Sequence, residues 1–358
     1  MPNSPDAPKS HSPQPPGREN HFPWQERQWR QCLRMQQTDR LPHAFLLRGP
    51  TGVGKAGFAD RWANALVCTE AAPEARPCGR CRGCVLFRAG SHPDVMTLAP
   101  PPEKKTIGID QIRALIDYVW LSRQFADRKV VIIPKAGEMT IAAANTLLKT
   151  LEEPPGQAVF LLVSDRAWQL PATVRSRCQA LDFPIPPAKS VLDWLGARLP
   201  PEIDAPLLLK AAGGAPLLAL TFWREGTLPE RIRFGGELTD LLAGKIEPLA
   251  TAARWKPLGA VRVLSWSLAY LADLIRLRTT MTPSPTETRA REKDGTGLFV
   301  LDPDHAEALG TIAGGIAPIS AYRLWDRCLA TRRMWDDSGS LNEALLLEGI
   351  AMDFAGLA

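Results

Sequence analysis

Four short apolar runs separated by longer amphipathic segments dominate the chain between residues 21 and 184. Continuous apolar runs of this length are typical of strands buried on both faces, and the segments between them repeat apolar positions every three to four residues, as helices do. The pattern predicts a parallel α/β domain over residues 21–184. The predicted strands are AFLLR (44–48), DVMTL (94–98), KVVII (129–133) and AVFLLVS (158–164), and the clearest predicted helices begin at Ile109 and Thr140.

After residue 184 the strand pattern stops and only helical periodicity remains. Two or three short helices are predicted between residues 188 and 220, which defines a small helical domain over residues 185–228. A larger α-helical domain follows over residues 229–358, with one apolar-rich helix at 341–354. Its other marked apolar stripe consists of Val261, Leu264, Leu268, Leu271 and Ile275.

Two polar segments flank or interrupt these domains. Residues 1–20 are rich in proline, serine and other polar residues and are predicted to be a disordered tail. Residues 282–297 are predicted to be a mobile polar loop. The tail has no apolar core of the kind that a secretory signal needs. No run approaches the roughly 20 apolar residues of a membrane helix, so we expect a cytoplasmic protein with no membrane partner.

The overall composition and net charge exclude few classes of function. The 358 residues are 45% hydrophobic and 23% charged, which is ordinary for a globular protein of two or three domains. A formal net charge of +5 permits contact with nucleic acid but does not require it.

The segment GPTGVGKA, residues 49–56, follows a predicted strand and opens a predicted helix. In a phosphate-binding loop (P-loop), glycines let backbone N–H groups close around phosphates and a lysine reaches the β- and γ-phosphates. Binding of ATP or ADP is therefore a candidate property of this loop. The alternative is that the glycines only form a tight strand-to-helix turn. The candidate nucleotide-binding residues are Gly49, Gly52, Gly54 and Lys55.

The chemistry needed for hydrolysis is missing around this loop. A P-loop carries Ser or Thr after the lysine to coordinate Mg²⁺, and here the residue is Ala56. A neighbouring strand must also supply a carboxylate for the metal and the attacking water. The strand at 129–133 runs instead into Pro134 and Lys135, and a cation there repels the metal. We therefore expect no ATP hydrolysis by this chain.

Four of the seven cysteines lie close together in the sequence: Cys68, Cys78, Cys81 and Cys84. Without an export signal, metal binding is favoured over disulfides, and four thiolates at this spacing predict a structural Zn²⁺ site in a module over residues 68–84. His92 is a possible substitute for one ligand, and free buried thiols are the alternative. The nearby arginines either form a solvated face or contact nucleic acid: Arg76, Arg80, Arg82 and Arg88.

A set of motifs in a specific order resembles the delta-prime subunits of the bacterial DNA polymerase III clamp loader, a branch of the AAA+ family. The resemblance covers nearly all of the chain after the tail. It is carried by FPWQ (22–25), RLPHAFLLRGPTGVGK (40–55), the four cysteines, SHPD (91–94), IDQIR (109–113), NTLLKTLEEPP (145–155), LPATVRSRC (170–178) and NEALLLEGI (342–350).

The resemblance implies an AAA+ P-loop domain, a helical lid (185–228) and an oligomerising collar (229–358). Such subunits form a ring-like pentamer with each ATP between two neighbours. Arg177 of the Ser-Arg-Cys motif would be an arginine finger acting in trans on a gamma/tau ATP site, unless it pairs with a local carboxylate such as Asp182. Ser164 and Asp165 fall in the sensor region, and residues 213–220 lack the second sensor arginine.

The leading hypothesis is therefore an ATPase-silent subunit that completes the loader, with gamma/tau and delta as partners. The sliding clamp and primer-template DNA would be reached through the complex. Any DNA-directed DNA polymerase (nucleotidyltransferase) activity would belong to the DNA polymerase III holoenzyme, because no pair of metal-binding carboxylates for it stands out in this sequence. The alternatives are an autonomous AAA+ ATPase that uses Lys55 and a nucleic-acid-binding protein that uses the zinc module.

Overall fold

The computed structural model describes residues 21–38, 40–280, 311–338 and 341–357. They form two compact units: residues up to 49 together with 54–183, and residues 50–53 together with those from 184 onward. The predicted tail (1–20) and the predicted polar loop (282–297) both fall outside the described residues. The lid and collar assignments stay predictions.

The first unit contains a five-stranded parallel sheet in the order β2-β3-β4-β1-β5. This confirms the predicted parallel α/β architecture, with β2 slightly shorter than predicted. The fifth strand was not predicted, because its sequence QALD is short and largely polar. The strands are β1 (Ala44–Arg48), β2 (Val95–Thr97), β3 (Lys129–Ile133), β4 (Ala158–Ser164) and β5 (Gln179–Asp182).

Local sequence signals explain where the helices around this sheet begin. Thr140 accepts a hydrogen bond from the N–H of Ala143 at the start of α5, and Gln111 accepts one from the N–H of Gly108 at the start of α4. The helices of the first unit are α1 (Glu26–Gln37), α2 (Lys55–Leu66), α3 (Arg82–Arg88), α4 (Ile109–Trp120), α5 (Ile141–Glu152) and α6 (Ala172–Arg175).

Both faces of the sheet are covered, which is why its central strands read as unbroken apolar runs. On one face, Leu46 and Phe160 belong to a core that also contains Ile112 of α4 and Leu147 of α5. The alternate residues of the same strands are buried as well, and Phe45 is fully inaccessible to solvent. The register sets Arg48 of β1 opposite Ser164 of β4, so both strands end at the same edge.

Every regular element described after β5 is a helix, as predicted, and three short helices precede the longer ones. In the predicted apolar stripe, Leu264 and Leu271 are fully buried, whereas Val261 is 44% exposed in the single chain. The helices of the second unit are α7 (Ala188–Gly196), α8 (Ala205–Ala211), α9 (Pro216–Arg224), α10 (Leu228–Leu242), α11 (Pro248–Trp255), α12 (Ala260–Thr280), α13 (Pro318–Ser338) and α14 (Glu343–Ala355).

Within the described residues, no single helix has both the length and the apolar character to cross a membrane. Two strongly bent pairs of helices would together be long and apolar enough, judged by length and composition alone. They are Ala205–Ala211 with Pro216–Arg224, and Pro248–Leu258 with Ala260–Ile275.

Candidate functional site

The glycine-rich loop connects β1 to α2, where the sequence predicts a strand-to-helix turn. Gly49 (φ 152°) and Gly54 (φ 90°) both have positive φ values. A Cβ atom at Gly49 would lie 2.1 Å from the carbonyl oxygen of Phe183, and one at Gly54 would lie 2.6 Å from the ring of Phe22. Packing of the turn alone therefore requires glycine at both positions, with or without a bound nucleotide.

Lys55, the lysine of this loop, is almost completely buried at the start of α2. Its side chain is 3% exposed, and its Nζ donates a hydrogen bond to the carbonyl oxygen of Gly49 at 2.8 Å. The same Nζ lies 2.6 Å from Oδ1 of Asp165, the residue directly after β4. Burial lowers the pKa of Lys55, and the hydrogen bond and charge of Asp165 oppose that change. The ammonium group is thus paired within the chain.

Gly52, the middle glycine of the loop, belongs to the second unit. Its carbonyl oxygen accepts a hydrogen bond of 2.9 Å from the N–H of Leu217 in the first turn of α9. A Cβ at Gly52 would lie 2.8 Å from the Cβ of Leu218. The first turn of a helix has N–H groups without helical partners, and here one of them is satisfied by the loop.

The positions that would hold magnesium offer no oxygen ligands. Ala56 lies in the first turn of α2, and Pro134 and Lys135 follow β3. Lys135 is exposed, and its Nζ lies 3.4 Å from Oε1 of Glu138. The donor set that P-loop hydrolysis needs is therefore incomplete at each of these predicted positions.

Arg177 lies between α6 and β5, and its guanidinium is held within the chain. Nη1 donates to the carbonyl oxygen of Thr173 at 2.9 Å, and Nη2 forms an ion pair with Glu152 at the end of α5. The side chain stays one-third exposed. A local carboxylate does pair with Arg177, as the alternative interpretation expected, but it is Glu152 and not the suggested Asp182, which pairs with Arg48 at 2.5 Å.

Arg177, the candidate finger, and the glycine loop lie at opposite ends of the parallel strands. Lys55 and Asp165 follow the carboxyl ends of β1 and β4, whereas Arg177 precedes the amino end of β5, which runs parallel to β1. A strand rises about 3.3 Å per residue, so the length of β5 separates the two groups by roughly 13 Å. Arg177 is therefore too far away to reach phosphates at the loop of its own chain.

The four predicted metal ligands converge, since all four Sγ atoms lie within 4.8 Å of one another. The Sγ atoms of Cys68 and Cys81 are 3.8 Å apart, which equals the sulfur–sulfur spacing of about 3.8 Å in a tetrahedron with 2.3 Å metal–sulfur bonds. Backbone N–H groups of Cys78, Cys81 and Cys84 each point at the Sγ of the preceding cysteine of the set, at 3.4 Å. The residues fit a four-sulfur metal site.

Backbone donors favour the thiolate form of Cys78 and Cys81, whereas burial raises the pKa of Cys68 and Cys84. N–H groups of Arg80 and Cys81 lower the pKa of Cys78. Burial acts to raise the pKa of Cys81, but hydrogen bonds from Cys84 and Thr69 outweigh it and lower that pKa to about 6. A thiolate is the form of cysteine that binds metal, and N–H···S hydrogen bonds orient it.

Residues around the cysteines are engaged locally. His92 is not a member of the metal cluster: its Nδ1 accepts a hydrogen bond from the N–H of Asp94 at 3.1 Å. Arg76 donates to the carbonyl oxygen of Glu70 at 2.6 Å, and Arg82 lies over the ring of Phe125. These contacts agree better with a self-supporting module than with arginines arranged for nucleic acid.

Comparisons with known proteins identify the family. A family model described as "DNA polymerase III, delta subunit" matches residues 24–187. The DNA polymerase III subunit delta' of Pseudomonas aeruginosa is 32% identical over 338 residues, which cover 94% of this chain and 98% of that protein. The chain belongs to the family of DNA polymerase III delta' subunits. This confirms the family and the DNA-replication role predicted from the sequence.

Two further comparisons extend this result. The delta' subunit of Escherichia coli is 35% identical over 205 residues, covering 57% of this chain and 61% of that protein. The DNA polymerase III subunit tau of Bacillus subtilis is 34% identical over 180 residues, covering 50% and 31%. A solved gamma subunit-related protein of Thermotoga maritima is 19% identical, with 91% of this chain and 99% of that chain covered and a TM-score of 0.35.

Two partners of the predicted site residues were missed by the sequence reasoning, although both have a positional signal. Asp165 follows β4, and carboxyl ends of adjacent parallel strands meet at one edge, which placed it near Lys55. Glu152 ends α5, but nothing in the sequence indicates that it, rather than Asp182, pairs with Arg177. Which of several carboxylates meets a given cation depends on how the helices pack.

Proposed function

We propose that this delta' family member is a clamp-loader subunit that does not hydrolyse ATP and that lends Arg177 to the ATP site of a neighbouring gamma/tau subunit. The position of Arg177 carries this proposal. Arg177 lies at the amino ends of the parallel strands, whereas the glycine loop of the same chain lies at their carboxyl ends, and the Arg177 side chain is one-third exposed. A guanidinium in that place can serve a phosphate held by another chain and not one held by Lys55.

The loss of hydrolysis rests on chemistry around the glycine loop. Ala56 cannot coordinate Mg²⁺, and Lys135 brings a positive charge to the place where a metal-binding carboxylate is needed. Binding of ATP or ADP through Gly49, Gly52, Gly54 and Lys55 stays a prediction, and Lys55 already has a carboxylate partner in Asp165.

The four-cysteine cluster has a structural rather than catalytic part in this proposal. We propose Zn²⁺ as its metal, because four cysteine sulfurs that converge within 4.8 Å of one another suit zinc and would leave no open coordination position for substrate. Zinc bound by Cys68, Cys78, Cys81 and Cys84 would fix the segment between α2 and α3.

The assembly supplies the remaining partners in the proposal. The predicted collar domain (229–358) would hold this chain to gamma/tau and delta. Contact with the sliding clamp and primer-template DNA would come through the complex. Polymerase activity belongs to DNA polymerase III as a whole. The cytoplasmic location stays a prediction from the sequence.

Arg177→Ala in a loader reconstituted with gamma/tau and delta tests the finger. Arginine fingers contribute about 10³ to 10⁵ in rate in other nucleotide hydrolases, so turnover at the adjoining ATP site should fall by at least about 10³-fold. The complex should keep its mass and composition, as judged by native mass spectrometry. Arg175→Ala is the matched control, because Arg175 is an exposed arginine of α6 two positions away.

Unchanged DNA- and clamp-stimulated ATPase activity in the Arg177→Ala loader would contradict the finger assignment. ATP hydrolysis by the isolated chain that disappears on Lys55→Ala would instead support the autonomous ATPase. Tight, salt-dependent DNA binding by the isolated chain would support the nucleic-acid-binding alternative.

A further inference from the structure

The carboxyl edge of the sheet in the first unit brings one buried cation and one carboxylate together. β1 ends at Arg48 and β4 ends at Ser164, which are register partners, so the residues that follow them lie side by side. Gly49 follows β1, and Asp165 follows β4. Lys55 in the first turn of α2 contacts both, at 2.8 Å to the Gly49 carbonyl oxygen and 2.6 Å to Oδ1 of Asp165.

In a P-loop that binds nucleotide, the lysine ammonium serves the β- and γ-phosphates. Here the lysine is 3% exposed, and a carboxylate oxygen already lies at the distance of a charge-assisted hydrogen bond. Asp165 itself is 43% exposed, so the ion pair joins a buried ammonium group to a carboxylate that solvent reaches. An incoming phosphate would meet both a neutralised lysine and a like charge.

We propose that the carboxylate of Asp165 takes the place of a nucleotide phosphate at Lys55, so that this loop is closed to nucleotide by a counter-ion from its own chain. The inference deepens the proposed function, in which this chain does not hydrolyse ATP, and rests on it. It replaces the predicted binding of ATP or ADP by a lack of nucleotide binding, and it assigns that lack to one residue outside the loop.

Asp165→Asn in the full chain tests the proposal. The amide keeps the shape and a lone pair for Lys55 but removes the negative charge. A charge at this range changes an ionic equilibrium by about one to three powers of ten, so affinity for ADP or pyrophosphate should rise by at least about tenfold. Isothermal titration calorimetry with each probe measures the affinity, and inorganic phosphate separates an anion effect from nucleoside recognition.

Asp182→Asn is the matched control. Asp182 ends β5 at the same edge of the sheet and pairs with Arg48, so its substitution changes net charge equally without touching Lys55. We expect no gain in ADP or pyrophosphate affinity for that variant. The double variant Lys55→Ala with Asp165→Asn should lose the gain, because the ammonium that binds the phosphate is gone.

The wild-type chain binding ADP as tightly as Asp165→Asn would overturn the proposal, and so would a gain that survives Lys55→Ala. If Asp165→Asn does not fold, as judged by circular dichroism, Asp165→Ser is measured instead under the same criteria. The Arg177-dependent ATPase stimulation of the reconstituted loader should be the same with Asp165→Asn. A negative result for the affinity of Asp165→Asn therefore does not affect the assignment of Arg177 as the finger. A negative result for Arg177→Ala likewise does not affect the affinity measurement.

Discussion

At the scale of single residues, Asp94 shows how one buried carboxylate organises a loop. It lies directly before β2 and is fully inaccessible to solvent. Its two oxygens accept hydrogen bonds from the N–H groups of Gln124, Phe125 and Ala126 at 2.6–2.9 Å. Three donors satisfy a charge whose burial would otherwise be costly, and they fix the segment between α4 and β3.

Asp94→Ala should lower the free energy of unfolding by about 2 kcal/mol, since hydrogen bonds to a charged group contribute about 1.5–3 kcal/mol and the three N–H groups can regain only water. Urea denaturation of both proteins measures the change. Asp110→Ala is the control: its side chain is 88% exposed and pairs with Arg113 on the surface of α4, so the loss should stay within about 0.5 kcal/mol.

The same substitution carries a pH signature. Burial acts to raise the pKa of Asp94, but the three N–H groups and the charge of Lys129 outweigh it and lower that pKa below its ordinary value of 3.8. A lowered pKa contributes stability that is complete above the unfolded pKa of about 3.9 and is lost as pH falls through the folded value. The difference between wild type and Asp94→Ala should thus shrink below about pH 4. A difference independent of pH would contradict this.

At the scale of elements, the segment between α2 and α3 contains four cysteines whose Sγ atoms converge. Cys78 and Cys81 are only partly buried, whereas Cys68 and Cys84 are buried, as are Cys32 and Cys328 elsewhere in the described residues. Burial raises the pKa of Cys68 and Cys84, as it raises the pKa of Cys32, Cys178 and Cys328. The cluster therefore differs from the other cysteines in the convergence of its sulfur atoms and not in burial.

Cys78→Ser combined with Cys81→Ser should abolish stoichiometric zinc and lower the melting temperature, because structural zinc contributes on the order of 10 kcal/mol or more to folding in small zinc modules. Metal content by mass spectrometry and a thermal melt give the two readouts. Cys178→Ser, outside the cluster, should keep full zinc content. An unaltered metal content in the double variant would remove the zinc assignment.

At the scale of the whole molecule, the chain leaves the first unit for four residues, Pro50–Val53, and then returns to it. This exchange occurs inside the glycine loop. Within the second unit, Gly52 is joined to α9 by the hydrogen bond from Leu217 and by close packing against Leu218. The middle of a loop that resembles a phosphate site is therefore part of the helical unit's packing.

Gly52→Ala should destabilise the protein by about 1–3 kcal/mol more than Gly213→Ala. Both glycines have positive φ, 83° and 60°, so both substitutions carry a similar backbone strain. Only at Gly52 would the new Cβ meet other atoms, at 2.8 Å, whereas nothing lies within 4 Å at Gly213. Chemical denaturation of the two variants checks the difference. Equal losses would mean that the loop is not packed against α9.

Much of the architecture was predictable because its signals are local. The apolar runs of β1, β3 and β4 predict strands covered on both faces, and the observed bounds of these strands match the predicted bounds. β5 was missed because QALD has only one fully buried residue, Leu181, and lies at the sheet edge. Val261 of the predicted stripe is exposed in the single chain, since helical spacing alone does not say which positions of α12 meet other helices.

The sequence by itself determined the parallel α/β unit, the four cysteines that converge in the structure, and the residues without side-chain oxygens at Ala56, Pro134 and Lys135. Each of these depends on residue types at short spacing. Only the tertiary structure decided that Lys55 pairs with Asp165, that Arg177 pairs with Glu152 and not Asp182, and that Gly52 packs on α9. Those pairings join distant parts of the chain. Each charged side chain has several possible partners in the sequence, but only one of them lies within reach once the elements are packed.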